Sequence, residues 1–207
     1  MRFLILSCFD PEDRQFRGIS DICGRLDADA DGRYLIWTPE SQAVDASGSP
    51  ALEWALISGH GAEDAARMGG GAAFTPSDLR LPAPADLYLL GCYQGRPELK
   101  ALWAQGAGIP AAQVHGSPED TETALSTLFL LNLAMAGWRD IAHWFRRWID
   151  ANAWFRPHFA EINASYDRNG GDFMATLNEL GGAIDLEPFA DFIAPGRSHA
   201  EYLTGLR

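Results

Sequence analysis

The stretch "EWALISGHGAED" (53–64) decides the fold predicted for this chain. Its first residues are short and nearly continuously apolar, which is typical of one buried strand of a parallel sheet. A histidine between two glycines follows directly. The stretch "ADLYLLGCYQG" (85–95) has the same arrangement, with Cys92 placed after a glycine where the strand should end. A buried strand needs neither ending for packing, so both endings require a further explanation.

Similar apolar runs alternate with helical patterns along the first part of the chain. The predicted strands are residues 2–8, 33–38, 53–58, 86–91 and 111–116, and the predicted helices are 18–28, 97–105 and 119–137. Ser117 and Pro118 are expected to start the last helix as its cap and its first-turn proline. This alternation predicts parallel βαβ crossovers and an α/β three-layer sandwich with a mostly parallel sheet.

The last predicted strand ends at residue 116, and no strand pattern appears after residue 137. From Trp138 onward the pattern is helical, with breaks at Pro157, Gly170–Gly171, Gly181–Gly182 and Pro195. We therefore predict two parts, an α/β domain over 1–137 and a helical C-terminal extension over 138–207 packed on it. The many aromatic residues of the extension are expected to cover one face of the sheet rather than to recognise a partner.

The composition limits the classes of function. The chain has 207 residues and a formal net charge of −12, and Lys100 is its only lysine. Such a surface repels phosphate backbones, so no nucleic-acid partner is expected. The apolar run near the N-terminus is too short for a secretory signal, and no apolar stretch reaches the roughly 20 residues of a membrane span. These features predict a cytoplasmic protein without a membrane partner.

The three cysteines, Cys8, Cys23 and Cys92, lie far apart and include no Cys-x-x-Cys pair. That pattern argues against a disulfide framework and against a structural zinc site, and it fits a reducing compartment. Neither a cofactor nor a metal is expected.

One acidic segment raises the alternative of calcium binding. Asp27, Asp29, Asp31 and Gly32 match the opening of an EF-hand loop. The twelfth position of such a loop should be a bidentate glutamate, and here it is Thr38. We therefore expect a solvated acidic turn.

The histidine and the cysteine at the two strand ends would form one site if the strands are neighbours in the sheet. Reactive groups in parallel sheets gather beyond the carboxyl ends of the strands, so His60 and Cys92 should lie at one edge. An imidazole there can activate a thiol nucleophile or protonate its leaving group. Because Gly61 has no Cβ, its backbone can approach a bound carbonyl, and its N–H together with that of Cys92 can form an oxyanion hole. The competing explanation is that both are ordinary packing residues at strand ends.

At this point the residues resemble the caspase-like cysteine peptidases, the superfamily of caspases, metacaspases, paracaspases and CHAT proteases. "ISGHG" resembles its Ser-Gly-His-Gly motif, and "LLGCYQG" resembles its motif of apolar residues before the catalytic cysteine. "FRGISDICGRL" (16–26) and "GSPEDTETALSTLFLLNLAMAG" (116–137) resemble the start of its first helix and the segment after a later strand. The histidine precedes the cysteine, as in the family, and the resemblance covers 2–137.

The resemblance implies a cysteine endopeptidase, a hydrolase in which His60 and Cys92 form the catalytic dyad. The Cys92 thiolate would attack a peptide carbonyl, His60 would protonate the departing amine, and water would release the acyl-enzyme. Gly61 and Cys92 would supply the oxyanion hole. The partners would be a peptide or protein substrate and, because the chain is small, a protein activator supplied from outside it.

The chain departs from the family pattern at Leu90, where metacaspases usually have an aspartate and caspases a glutamine that shape the specificity pocket. The preferred substrate residue is therefore not implied. Asp10, after the first predicted strand, could line an acidic pocket for a basic side chain, and Glu119 and Asp120, after the fifth, could do the same. Arg17 could instead bind an acidic side chain. The plainer explanation is that all four are solvated loop or cap residues.

Two other functions stay open. Leu90 favours an inactive caspase-like module that signals or binds, and the same dyad could serve another thiol hydrolase or transferase. His115 also ends a strand before a glycine and could face the same edge, although a structural role is expected for it.

Overall fold

The computed structural model describes residues 1–9, 19–20, 22–24, 31–41, 43–69, 73–170, 172–181 and 183–193. The chain divides into two compact units, Met1–Asp120 and Thr121–Arg207. The strands in the described part of the chain belong to the first unit, and the second is helical. The sequence placed the boundary after residue 137, whereas here the long helix that follows the last strand groups with the tail helices.

A five-stranded parallel sheet forms the centre of the first unit. Its strands are β1 (Phe3–Ser7), β2 (Gly32–Ile36), β4 (Trp54–Ser58), β6 (Asp86–Leu90) and β7 (Val114–Gly116), in the order β2-β1-β4-β6-β7. Two short strands, β3 (Val44–Asp45) and β5 (Leu79–Arg80), pair separately and also in parallel. The predicted α/β class with a mostly parallel sheet is confirmed, and the architecture is compatible with a three-layer sandwich.

The inner strands are apolar on both faces because both faces are covered. Every residue of β1 and of β4 is buried, as expected for parallel strands without a solvent face. On one face, Leu6, Ile57 and Leu89 stand side by side across three strands. They belong to the core cluster that also holds Phe74 and Trp103.

Residues that the sequence assigned to the first helix lie near the opposite face. Of the predicted helix 18–28, the described residues Ile19, Ser20, Ile22 and Cys23 are helical. Burial raises the pKa of Tyr34 on β2 to about 12, and Cys23 lies close enough to contribute. Tyr34 pairs with Ile5 of β1, so it belongs to the face opposite Leu6.

Helix α1 (Pro97–Ala107) follows β6 and closely matches the helix predicted over 97–105. Proline occupies its first turn, where the missing N–H costs no hydrogen bond, and Gly108 ends it with a left-handed φ of 78°. Leu99, Trp103 and Ala107 are buried at a spacing of four residues. This stripe holds the helix against the core of the first unit.

The second unit contains helices at the places where the sequence predicts them. They are α2 (Thr123–Met135), α3 (Ile141–Phe155), α4 (Phe159–Arg168) and α5 (Phe173–Leu180). The expected start of α2 at residue 119 was wrong. Ser117 instead donates its hydroxyl to the Glu119 carbonyl in a turn, and the Glu122 carboxylate caps α2 by accepting from Ala124 N–H at 3.4 Å.

Candidate functional site

Strands β4 and β6 are neighbours, and they bring His60 and Cys92 to the same edge of the sheet. The register pairs Ser58 with Leu90, the last residues of the two strands. One residue further, Gly59 N–H donates to the Leu90 carbonyl at 3.3 Å. His60 and Cys92 therefore follow at nearly the same level, as the topology of a parallel sheet requires.

The glycine after the histidine is needed because the two segments touch there. A Cβ on Gly61 would lie 2.9 Å from the Cys92 nitrogen and closer still to its carbonyl oxygen, so only hydrogen fits. A Cβ on Gly91 would meet the Gly59 carbonyl oxygen in the same way. The two glycines thus allow the backbone after β4 to pack directly on the backbone after β6.

The Gly61 N–H is turned away from the next segment of the chain. Gly61 forms an isolated antiparallel bridge with Met68, and the hydrogen bond beside it runs from Gly69 N–H to the His60 carbonyl at 2.8 Å. In this pattern the N–H of the bridged residue points away from its partner strand. An oxyanion donor at residue 61 would need this orientation.

The His60 side chain is exposed and lies beside an aromatic ring. Phe9, which follows the neighbouring strand β1, meets the imidazole edge-on, with ring centroids 5.0 Å apart and planes at 83°. Phe9 itself is buried, so its ring is held by the core. It limits the orientations that the imidazole can adopt.

Cys92 differs from the other two cysteines in exposure. Cys8 and Cys23 are buried, and burial raises the pKa of both thiols well above the ordinary value. Cys92 is only partly buried. Because the thiolate is the reactive form and must be reached by its target, Cys92 is the cysteine best placed to act as a nucleophile.

Tyr93 gives the chain a sharp turn directly after Cys92. Its φ of 62° is left-handed, an unfavourable conformation for a bulky side chain and one that often marks functional sites. Its N–H donates to the Glu119 carbonyl at 3.1 Å, and its carbonyl accepts from Arg96 N–H at 3.1 Å. The Arg96 guanidinium also lies 4.7 Å from the centre of its ring.

The candidate substrate-binding residues Glu119 and Asp120 are exposed in the loop after β7, beside Tyr93. A hydrogen bond to Asp120 is the main cause that raises the pKa of Tyr93 to about 12, and desolvation and the charges of Asp120 and Glu63 add to it. The Tyr93 hydroxyl therefore lies close to the carboxylates of Asp120 and Glu63. Acidic groups thus lie near the partly exposed Cys92.

Of the other candidate substrate-binding residues, the structure describes Leu90, which does not join this surface. Leu90 is 2% exposed at the end of β6, so its side chain belongs to the core of the sheet. Asp10 and Arg17 lie outside the described residues. The opposing roles proposed for an acidic pocket and for Arg17 stay predictions.

Sequence reasoning missed two side chains that join the loops of this edge. Gln94 is fully buried, with its amide nitrogen 2.8 Å from the Ala62 carbonyl oxygen. Arg96 forms an ion pair with Glu63 at 3.0 Å and donates from Nε to the Pro118 carbonyl at 3.1 Å. Three loops, which follow β4, β6 and β7, are joined in this way. The signal in the sequence was the pair of polar residues soon after the cysteine, in "CYQGR".

His115 does not join the site. Its ring stacks on Tyr88, with centroids 4.6 Å apart, and its Nε2 lies 3.1 Å from the carboxylate of Asp86. Asp86 is the first residue of β6, at the end of the strand opposite Cys92. The structural role expected for His115 agrees with these contacts.

A cleft of about 620 Å³ lies beside the loop that follows His60. The segment Asp64–Ala66 forms one wall, the turn Thr75–Ser77 another, and Leu102 and Gly106 of α1 complete it. The same loop is held from the inside by Gln94, which also donates to the Ala65 carbonyl at 3.3 Å. The cleft and the candidate site therefore share one loop.

No group of three or more metal-binding side chains is gathered within the described ranges. Asp27 and Asp29 of the EF-hand-like segment lie outside those ranges, and Asp31 is exposed, with its carbonyl accepting from Arg2 N–H at 2.6 Å. Among the helices that the structure describes, none has both the length and the apolar character needed to cross a bilayer.

Compared with protein-family models, with curated proteins and with solved structures, the chain matches none. The resemblance to caspase-like peptidases therefore depends on the four sequence motifs alone, those around His60 and Cys92 and the stretches 16–26 and 116–137. The parallel sheet and the contact of the loops at its edge are observations of this chain that do not depend on the resemblance.

Proposed function

We propose that the protein is a cysteine endopeptidase of caspase-like type that hydrolyses peptide bonds through His60 and Cys92. The observation that carries this proposal is the direct backbone contact of Gly61 with Cys92. The contact brings the segment after His60 against the residue that bears the thiol, at one edge of a parallel sheet. A pair of packing residues would need no such approach.

In the proposed reaction each group has one role. The Cys92 thiolate attacks the peptide carbonyl, and the resulting oxyanion accepts hydrogen bonds from the N–H groups of Gly61 and Cys92. His60 gives a proton to the departing amine and then accepts one from the water that attacks the acyl-enzyme. The thiol is released when the carboxylate product leaves.

Charge near Cys92 favours a basic residue before the cut bond. Asp120 and Glu63 both act on the neighbouring Tyr93 hydroxyl, and a cationic substrate side chain in that position would be attracted to the same carboxylates. Arg96 offsets part of this charge, since it pairs with Glu63. Acidic substrate residues would meet the remaining acids and be repelled.

A specific observation keeps the alternatives in view. Leu90 is buried and apolar, so the position that shapes the specificity pocket in the resembled family contributes no polar group here. The chain would then be an inactive binding or signalling module, or a thiol hydrolase or transferase with another substrate. Both alternatives predict that peptides are not cleaved.

The test is cleavage of a peptide library varied at the residue before the cut bond. Wild type is compared with Cys92→Ser and His60→Ala, and with His158→Ala as the matched control, because His158 is a partly exposed histidine of the helical unit. We expect cleavage by wild type and the control and none by the two site variants. Cleavage that survives in Cys92→Ser would exclude the proposed chemistry.

If wild type cleaves no peptide, alkylation of Cys92 by iodoacetamide separates the two alternatives. A Cys92 that reacts far faster than a free thiol, and only when His60 is present, would support another thiol hydrolase or transferase. Ordinary reactivity would support the inactive module.

A further inference from the structure

Gln94 is a polar side chain enclosed among the loops of the candidate site. It is 0% exposed, and burying an amide without hydrogen-bond partners is unfavourable. Its partners lie on three different segments. The amide nitrogen donates to the Ala62 carbonyl at 2.8 Å and lies 3.3 Å from the carbonyls of Ala65 and Cys92. The amide oxygen accepts from Trp103 Nε1 at 2.8 Å.

The chemistry of these partners fixes the orientation of the amide. An indole N–H only donates, so it must face the amide oxygen of Gln94. Backbone carbonyls only accept, so they must face the amide nitrogen. Among side chains of this size, a carboxylate cannot donate to the carbonyls, and a thioether cannot donate at all. Glutamine satisfies both sides of the position.

We infer that Gln94 is a positioning residue, which sets the spacing between the segment that follows His60 and the backbone of Cys92. Ala62 is the residue after Gly61, and Cys92 is two residues before Gln94 itself. One amide nitrogen therefore holds carbonyls on both sides of the Gly61–Cys92 contact. Trp103 of α1, buried in the core, holds the other end of the amide.

Without Gln94, the segment after His60 and the backbone of Cys92 would lose the buried side chain that joins them. The carbonyls of Ala62 and Ala65 would be left without this donor in a partly buried region, so the loop would move to find water. A displacement of about 1 Å between catalytic groups can lower a rate about 100-fold. The expected effect on the reaction rate rests on the proposed function, whereas the effect of Gln94 on the spacing of the two segments does not.

The test uses Gln94→Met, which keeps the length and burial of the side chain but removes every hydrogen bond. Trp103→Phe is the matched control, because it removes the bond to the amide oxygen and leaves the three carbonyl contacts in place. Each variant is examined for its melting temperature, for the rate at which iodoacetamide alkylates Cys92, and for kcat and KM on any peptide that wild type cleaves.

We expect both variants to melt at a lower temperature. Only Gln94→Met should change the alkylation rate of Cys92, by about 10-fold or more, and lower kcat by about 100-fold with little change in KM. Equal alkylation rates for the two variants and wild type would overturn the inference. So would a loss of kcat in Trp103→Phe as large as that in Gln94→Met.

The variant Gln94→Glu provides a second test that a merely structural role would not satisfy. Its carboxylate would face three carbonyls and repel them, whereas its protonated form can donate one hydrogen bond. The rate at which iodoacetamide alkylates Cys92 in Gln94→Glu, divided by the rate in wild type, should therefore return towards 1 as the pH falls. A ratio independent of pH would count against positioning. Because alkylation needs no substrate, absence of peptide cleavage would refute the proposed function without deciding the role of Gln94.

Discussion

Gly61 and Cys92, which belong to loops on neighbouring strands, lie with their backbones in contact. A Cβ at residue 61 would come within 2.9 Å of the Cys92 nitrogen, a distance that real Cβ atoms do not show. The contact joins the end of β4 to the end of β6 at the position where a histidine and a cysteine meet the surface. The proposed peptidase function depends on this contact.

Gly61→Ala should force the two segments apart. Because the added methyl group would meet backbone atoms that cannot rotate away, we expect a loss of about 1–3 kcal/mol in the free energy of unfolding. The alkylation rate of Cys92 and any peptidase activity should change with it. Urea denaturation followed by tryptophan fluorescence measures the stability.

Gly48→Ala is the matched control for this substitution, since Gly48 is exposed and a Cβ there would meet nothing within 4 Å. We expect it to change the free energy of unfolding by less than about 0.5 kcal/mol. Equal stability of the two variants would show that residue 61 has room for a side chain, against the contact described here.

Native protein treated briefly with iodoacetamide should carry one label, on Cys92. Cys8 and Cys23 are buried, and burial holds the pKa of both thiols well above the ordinary value, so neither offers an accessible thiolate. Peptide mapping by mass spectrometry identifies the labelled residue. The Cys92→Ser variant should stay unlabelled until urea unfolds it, and labelling of Cys8 or Cys23 at a similar rate would contradict the burial.

Stability of the helical unit should fall in acid through Glu179. Hydrogen bonds from Arg168, Ser165 and Asn169 lower the pKa of this carboxyl to about 2. A carboxyl whose pKa is lower in the folded state stabilises the fold at every pH above its ordinary pKa of about 4.5. This stabilisation is lost as the pH falls towards 2. Wild type should therefore have a higher melting temperature than Glu179→Gln at pH 7. The difference in melting temperature should shrink between pH 4.5 and 2.

Glu161→Gln serves as the control for this prediction, because Glu161 lies on α4, the helix that also carries Arg168 and Ser165, and its carboxylate lies 3.3 Å from His158 Nδ1. A difference between wild type and Glu179→Gln that stays constant from pH 7 to pH 2 would show that the hydrogen bonds do not depend on the charge of the carboxyl.

The elements of the sheet could be predicted because their signals are local. Apolar runs such as "FLILS" and "WALIS" are buried over their whole length, and such runs indicate parallel strands wherever they lie in the chain. The start of α2 was predicted too early for a related reason. Ser117 and Pro118 have the properties of a helix start, but Ser117 bonds within its own turn. Meanwhile the Asn152 side chain, 30 residues further on, accepts from Glu122 N–H at 2.6 Å where the helix begins.

By itself the sequence determined that His60 and Cys92 follow strands and are flanked by glycines. The order of the strands, and hence their meeting at one edge, was decided by the tertiary structure, since several orders would bury the same apolar runs. The role of Gln94 was also decided there. An amide has no local partner that reveals its place, and only folding brings the indole of Trp103 to one side of it and the carbonyl of Ala62 to the other. Hydrophobic periodicity depends on residues that are close in the sequence. The hydrogen bonds of a buried polar group depend on segments that are distant in the chain.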